Sequence, residues 1–457
     1  MINDSICFQL EAIQAMVPIF AFMSKTVALH TLGCKLNFSE TSTLGRLLEN
    51  DGFVKKDFAE VADLYVINTC SVTENADKEC RYLVRNIQRK APEALVVITG
   101  CYAQLKPKEI AAIPGVDLVL GAAEKFNIAQ HLKEISKGDS AKICSCDIED
   151  VNIFTASHSI NDRTRVFLKV QDGCDYNCSF CTIPMARGKS RSDSINNIVA
   201  NVQAIAAQGA KEIVLTGINL GDFRAPLNDN ISKQKVNGLT YGEKVHAQNF
   251  YDLIQELDKT AGIERFRISS IEPNLLSNEI IEFVSNSKKF MPHFHIPLQS
   301  GSNRILGLMR RRYKKGLYAE RVKLIKLLIP HCCIGVDIIT GFPGESEEDF
   351  KETFDFLHEL DISYLHVFTY SERPNTLAAG MKPVVPVAVR NQRNKILRNL
   401  SYQKMQYFTN EHVGKIRNVL FEHQNKNGMM EGYSDNYIKI TTPYRAEWEN
   451  NIVPWII

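Results

Sequence analysis

Apolar residues follow two rhythms along this chain: short dense runs, and longer stretches spaced by three and four. Between Lys25 and Lys137 the dense runs are Thr26–Thr31, Asp63–Asn68, Leu95–Thr99 and Val116–Leu120, each predicting a strand. Asn37–Asn50 and Asn75–Lys90 carry the wider spacing and predict helices. Such alternation implies a parallel sheet covered by helices. It resumes further on, with runs at Val166–Val170, Glu212–Thr216, Arg265–Ser269, His293–Pro297, Ile334–Ile339 and Tyr364–Thr369. Six strand–helix units predict a partial β/α barrel with its chemistry at the carboxyl ends of the strands. Val387–Asn410 is basic and helical in pattern. Beyond Glu411 the runs Ile416–Phe421, Gly428–Tyr433 and Tyr437–Thr441 predict a small antiparallel barrel. The fold class is therefore α/β: an open parallel-sheet domain at 24–137, a polar linker at 138–163, a partial (β/α)6 barrel at 164–385, and a basic helix with a small antiparallel β-barrel at 386–457. Gly221–Asn249 is polar and reads as an exposed insertion.

Length and charge narrow this picture only a little. A chain of 457 residues suits several domains. Lys and Arg number 54 against 52 Asp and Glu, so net charge argues neither for nor against an RNA partner. No apolar run approaches the ~20 residues that span a bilayer, so no membrane partner is expected. Met16–Phe22 is apolar, but no basic residue precedes it, so it does not read as a secretory signal; Met23 is a second candidate start. Twelve cysteines without such a signal point to a reducing compartment, and a cytoplasmic location is expected.

The cysteines carry the chemistry. Cys174, Cys178 and Cys181 sit on the loop leaving the strand Val166–Val170, spaced Cys-x3-Cys-x2-Cys. Three thiolates at that spacing suit three corners of an iron–sulfur cluster, with one iron left open. Structural zinc is the competing reading, but it wants four ligands, and no histidine lies within a dozen residues. A second trio is spread out. Cys34, Cys70 and Cys101 each follow a different predicted strand of the first domain, so the carboxyl edge of a parallel sheet would bring them together. Gly33 and Gly100 would let the backbone approach a bulky inorganic group. The plain alternative is three separate buried cysteines packing as small hydrophobes. Cys80 falls within a helix and reads as packing; Cys144 and Cys146, in the linker, are given no role.

The trio Cys174, Cys178 and Cys181, with Phe180 before its last member, resembles the signature of the radical S-adenosylmethionine (SAM) superfamily. That resemblance implies a 4Fe–4S cluster on the three cysteines, SAM chelated by the open iron, and Phe180 near the adenine. Thr31-Leu-Gly-Cys-Lys-Leu-Asn37, Val66-Ile-Asn-Thr-Cys-Ser-Val-Thr73 and Thr99-Gly-Cys-Tyr-Ala-Gln104 resemble the amino-terminal domain of the methylthiotransferases. This implies that Cys34, Cys70 and Cys101 ligate an auxiliary 4Fe–4S cluster carrying the sulfur to be inserted. The carboxyl-terminal module resembles the TRAM domain, a small RNA-binding barrel.

Within that family, Val166–Arg191 looks most like enzymes that methylthiolate C2 of N6-threonylcarbamoyladenosine at position 37 of tRNA. The resemblance implies SAM as methyl donor and radical source, a tRNA anticodon stem-loop as partner, an electron donor, a sulfur source, and a monomer. Isopentenyladenosine-37 and a ribosomal-protein aspartate are rival substrates. A non-catalytic metal-cluster RNA-binding protein is the rival class.

Polar clusters at the ends of barrel strands supply candidate SAM contacts: Thr216, Gly217, Glu272, Gln299 and Asp337. Ordinary turn and capping chemistry explains such residues equally well. No side chain is assigned a catalytic role. His293 and His295 are read as facing opposite sides of their strand, so that at most one reaches the cavity. The run Arg310–Lys315 and the helical stripe Arg81, Arg85 and Arg89 suit either solvent or RNA phosphates.

Overall fold

A computed structural model describes residues 25–71, 74–160, 164–225, 248–425 and 427–457. Most of the expected insertion at 221–249 lies outside these residues, as do Met16–Phe22 and Met23.

The first domain is a six-stranded, wholly parallel sheet. Its order across the sheet is Val54–Lys56, Thr26–Thr31, Leu64–Thr69, Leu95–Gly100, Leu118–Leu120 and Lys142–Cys144. Leu64–Thr69 is buried on both faces, as a central parallel strand must be. Tyr65 and Ile67 pack on one side with Val84 and Ile87, from the helix Glu74–Lys90. Leu64 and Val66 pack on the other with Leu44 and Leu48, from the helix Lys35–Asn50. The chain reverses direction across the sheet between Thr26–Thr31 and Leu64–Thr69. A crevice opens outside the carboxyl ends of strands at such a switch point. Cys34 and Cys70 leave those two strands.

The polar stretch 138–163 is not free of regular structure. Lys142–Cys144 forms the sixth strand of the first sheet, and Ser157–His158 pairs antiparallel with Arg165–Lys169. Both strands are too short for a periodic pattern to register.

The second domain is the expected partial barrel. Its strands are Arg165–Lys169, Glu212–Thr216, Arg265–Ile268, His293–His295, Cys333–Thr340 and Tyr364–Thr369. Their pairings are parallel, and single parallel bridges at Phe266–Phe290 and Ser270–His295 join the two halves. No pairing among the described residues closes the last strand onto the first. The helix Lys35–Asn50 instead packs against Ser157–His158 and Arg165–Lys169. Alternation along the first strand is legible: Val166, Leu168 and Val170 join the core beneath the outer helices, which leaves Arg165, Phe167 and Lys169 for the opposite face.

The helix Val387–Asn410 lies along the last barrel strand. It leads to a four-stranded antiparallel sheet ordered Lys439–Pro443, Met429–Ser434, Ile416–Gln424 and Ile452–Ile456. The sheet is antiparallel as expected, but its ladder does not close among the described residues. It docks on the barrel through Arg265, which donates to the Asn418 carbonyl at 2.8 Å, and Arg165, which donates to Glu422 at 2.9 Å.

Candidate functional site

At the carboxyl edge of the first sheet the three dispersed cysteines converge. Gly33 is so close to Cys70 that a Cβ on it would lie 2.6 Å from the Cys70 Cβ and 3.0 Å from its Sγ. Gly33 and Gly100 both hold positive φ (103° and 96°), which a side chain would strain. Burial pushes the Cys101 thiol up, and Cys34 lies close enough to add to the shift. Asn37 braces this edge: its amide donates to the carbonyls of Leu32 at 2.9 Å and Thr69 at 3.0 Å, just before Cys34 and Cys70.

The compact trio lies on the loop after the first barrel strand. The Tyr176 N–H donates to Cys174 Sγ at 3.4 Å, the Ile183 N–H to Cys181 Sγ at 3.5 Å, and Arg311 Nη1 to Cys178 Sγ at 3.2 Å. Burial pushes the thiols of Cys174 and Cys181 up to about 12. Bare thiols there are neutral, and a bound metal would draw off their protons. Aimed N–H donors, one arginine and three neighbouring thiols form a donor set suited to an iron–sulfur cluster, whose sulfurs accept such bonds.

Residues next to the two cysteine sets meet in a hydrogen-bonded seam. Thr182, next to Cys181, donates its Oγ1 to the carbonyl of Ser71, next to Cys70, at 3.3 Å. The short helix Ile183–Arg187 packs on Cys101–Leu105. Arg187 bonds to Asn37 Oδ1 at 2.5 Å, to both carboxylate oxygens of Glu40 at 3.1 Å, and to Asp172 at 2.9 Å. Lys125 at 2.8 Å and Lys169 at 3.2 Å complete the cage around Glu40. Burial alone would raise the Glu40 carboxyl, but Arg187, Lys125 and Lys169 together hold it well below the usual carboxylate range. Arg373 adds a further tie, at 2.7 Å to Ser71 and 2.8 Å to Asp77.

Three of the candidate SAM contacts share one cavity. Phe180, Gln299 and Asp337 line a space of about 230 Å³, together with Cys181, Ile339 and Tyr370. Gln299 holds a left-handed backbone (φ 69°) as its chain turns over the strand Cys333–Thr340. Thr216 and Gly217 lie apart, at the end of the second strand. The Thr216 Oγ1 and both side-chain polar atoms of Asn219 are buried there without a hydrogen bond. Unpaired buried polar atoms are costly, and a bound polar ligand would satisfy them. Asn219 is thus a candidate contact that the sequence reading passed over. Glu272 is occupied: it pairs with Arg311 inside the protein.

His293 and His295 do not face opposite sides. Residues two apart on a strand share a face, and both imidazoles are enclosed. His293 Nε2 meets the Tyr364 hydroxyl at 3.0 Å, and His295 Nε2 meets Asp337 at 2.8 Å. His366 reaches the same Asp337 oxygen at 3.2 Å.

The basic runs are largely tied to protein partners. Arg311 is buried at the compact trio, and Arg312 lies over the Tyr176 ring at 3.9 Å. Arg81 pairs with Glu109. Arg390 and Arg393, read as part of a basic helix, are buried against Glu372 and Glu345. Lys395 and Arg398 on that helix are exposed.

Comparison with known proteins matches the same two regions. Residues 26–121 match the family described as Uncharacterized protein family UPF0004, and residues 168–357 match the Radical SAM superfamily. A threonylcarbamoyladenosine tRNA methylthiotransferase of Bacillus subtilis is 38% identical over 91% of this chain and 90% of its own length. The Aquifex aeolicus protein of that name is 40% identical over 91% and 96%. A tRNA-2-methylthio-N(6)-dimethylallyladenosine synthase of Syntrophus aciditrophicus is 32% identical over 88% and 85%. Among solved structures, the radical S-adenosylmethionine methyltransferase TsrM of Kitasatospora setae shares the fold, with a TM-score of 0.54 and 17% identity over 78% of this chain and 77% of that one.

Proposed function

We propose a function from one premise: the chain belongs to the radical SAM methylthiotransferase family. It is a transferase that methylthiolates tRNA by radical SAM chemistry, with two 4Fe–4S clusters and SAM as its cofactors. Its substrate, on this reading, is N6-threonylcarbamoyladenosine at position 37 of the anticodon stem-loop, modified at C2. Cys174, Cys178 and Cys181 would hold the SAM-binding cluster, and Cys34, Cys70 and Cys101 the auxiliary one. When bound, these groups supply the one-electron chemistry that an aromatic C–H requires and that side-chain acids and bases lack.

The chain's own residues position and enclose. Arg311 sets a fixed positive charge against Cys178, and the Tyr176 and Ile183 N–H groups favour the thiolate form of their cysteines. Phe180, Gln299 and Asp337 line the cavity beside Cys181 and would hold SAM, with Thr216, Gly217 and Asn219 at the neighbouring strand end. Glu40 and Arg187 weld the two domains into one wall. The observation that carries this reading is the Thr182–Ser71 seam, which supports two cysteine sets opening onto one substrate space.

The reading also requires an external electron donor and sulfur source, treats the chain as a monomer, and places it in the cytoplasm with tRNA. No described helix is long and apolar enough to cross a membrane.

The test is anaerobic reconstitution with dithionite, SAM and synthetic anticodon stem-loops. Release of 5′-deoxyadenosine and a methylthio mass on the threonylcarbamoyl stem-loop is expected. Product on the isopentenyl stem-loop alone would reject the substrate; no SAM cleavage by fully loaded protein would reject the enzyme.

A further inference from the structure

Lys35, next to Cys34, begins the helix Lys35–Asn50 and lines a cavity of about 340 Å³ that all three domains enclose. Arg165 and Arg267 on the barrel strands, and Tyr433 and Tyr437 on the carboxyl-terminal sheet, form its other walls. Two of its three cations are already paired. Arg165 donates to Glu422 at 2.9 Å and lies over the Tyr433 ring at 4.1 Å. Arg267 donates to Glu212 at 3.0 Å and to the carbonyls of Asp435 at 3.1 Å and Ser434 at 3.3 Å. Lys35 has no hydrogen bond and no ion pair among the described residues. The Lys35 side chain is exposed, and an ammonium beside two guanidinium groups makes the cavity positive and so favours an anion. The helix that Lys35 opens has no side chain capping its first N–H groups, which adds to the pull on an anion.

The geometry points to Lys35 as the residue that binds the carboxylate of the substrate's threonylcarbamoyl group. This inference rests on the substrate reading above. C2 and the N6 substituent flank N1 on the same ring of adenine. A lysine adjacent to Cys34, a ligand of the sulfur-bearing cluster, is therefore well placed to reach the substituent while C2 faces the sulfur. Tyr433 and Tyr437 offer aromatic walls for the rest of the group. Backbone phosphates share the anionic chemistry but run along the RNA surface, whereas this cavity lies between domains. A dimethylallyl substituent is neutral and would leave the ammonium unpaired.

The experiment measures binding of four anticodon stem-loops to protein carrying both clusters. At position 37 they carry adenosine, isopentenyladenosine, threonylcarbamoyladenosine, or the last with its carboxylate converted to a methylamide. The parent protein is expected to prefer the free carboxylate over its methylamide by about tenfold or more, the range of one charged hydrogen bond. Lys35→Gln should erase that preference while leaving binding of the adenosine stem-loop within about twofold. Lys35→Arg should retain much of the preference. Iron and sulfide contents equal to the parent's establish that both variants are folded and loaded. A K35Q protein that keeps the carboxylate preference overturns the assignment. Equal weakening on all four stem-loops also overturns it, because Lys35 then contacts a phosphate. A parent protein that favours the isopentenyl stem-loop, or shows no preference among the four, overturns the substrate reading itself, a result distinct from failure of Lys35 alone.

Discussion

On the proposed reading Cys70 and Cys178 belong to different halves of the chemistry, and single substitutions should separate those halves. Cys70→Ala is expected to lose about half of the bound iron, the share of one of two clusters. It should still cleave SAM but form no methylthio product. Cys178→Ala should lose both activities. Iron analysis with product mass spectrometry checks the pair, and methylthio product from the Cys70 variant would sink the auxiliary-cluster assignment. Arg311 is the less obvious residue. Replacing it with Met leaves the Glu272 carboxylate, 13% exposed, without its cation, which costs on the order of 3–5 kcal/mol. A lower thermal midpoint and an altered cluster spectrum are expected, because Arg311 also bonds to Cys178. Both cysteine sets could be found from sequence because their spacing or strand-exit position is a local property. Arg311 could not. Within Arg310–Lys315 the five basic residues look alike until the fold encloses the Arg311 side chain, which is 4% exposed.

Among the elements, the strand Ser157–His158 shows what a weak pattern conceals. Its two residues fall in a stretch polar enough to read as linker, yet they join the barrel to the helix Lys35–Asn50. Arg46 donates to the His158 carbonyl at 2.7 Å, and Ser157 Oγ meets Ser39 Oγ at 3.0 Å. Burial first, and then the charge of Arg46, lowers the His158 pKa to about 4. The unfolded chain therefore binds a proton between pH ~6.5 and 4 that the folded chain refuses. This contribution to stability is complete above that window and is lost as pH falls through it. His158→Gln should flatten the decline of thermal midpoint between pH 7 and 5; an unchanged slope would reject the effect. The fourth strand of the carboxyl-terminal sheet, Ile452–Ile456, escaped notice in the same way. Its alternation is interrupted by Pro454, and its partner Ile416–Gln424 lies well upstream.

At the scale of the whole molecule, Glu40 joins the two catalytic domains. It is fully buried among Arg187, Lys125 and Lys169, so Glu40→Ala strands several cations at once. The expected cost is about 3–5 kcal/mol. Hydrogen exchange should rise first along the seam at Asn37, Ser71 and Thr182. Uniform exchange across both domains would argue against a docking role. The Glu40 carboxyl is held below its ordinary value, so its contribution is present above the usual carboxylate range and fades as pH falls below about 4.5. Seam exchange at pH 4 should therefore exceed that at pH 7 after correction for intrinsic rates.

The sequence by itself pointed to the two cysteine sets, to four of the six strands of the first sheet, and to the division into a sheet, a partial barrel and an antiparallel module. These follow from local spacing, from periods of two and 3.6, and from the rule that loops at the carboxyl ends of parallel strands gather on one edge. Only the tertiary structure decided that Thr182 meets Ser71 beside the two cysteine sets, that the Arg311 and Arg187 side chains are interior rather than solvated, and that Lys35 lines a cavity shared by three domains. Charge pairing and burial depend on what lies across a gap in space. Glu40 and Arg187, 147 positions apart, meet only once the first domain has docked on the barrel.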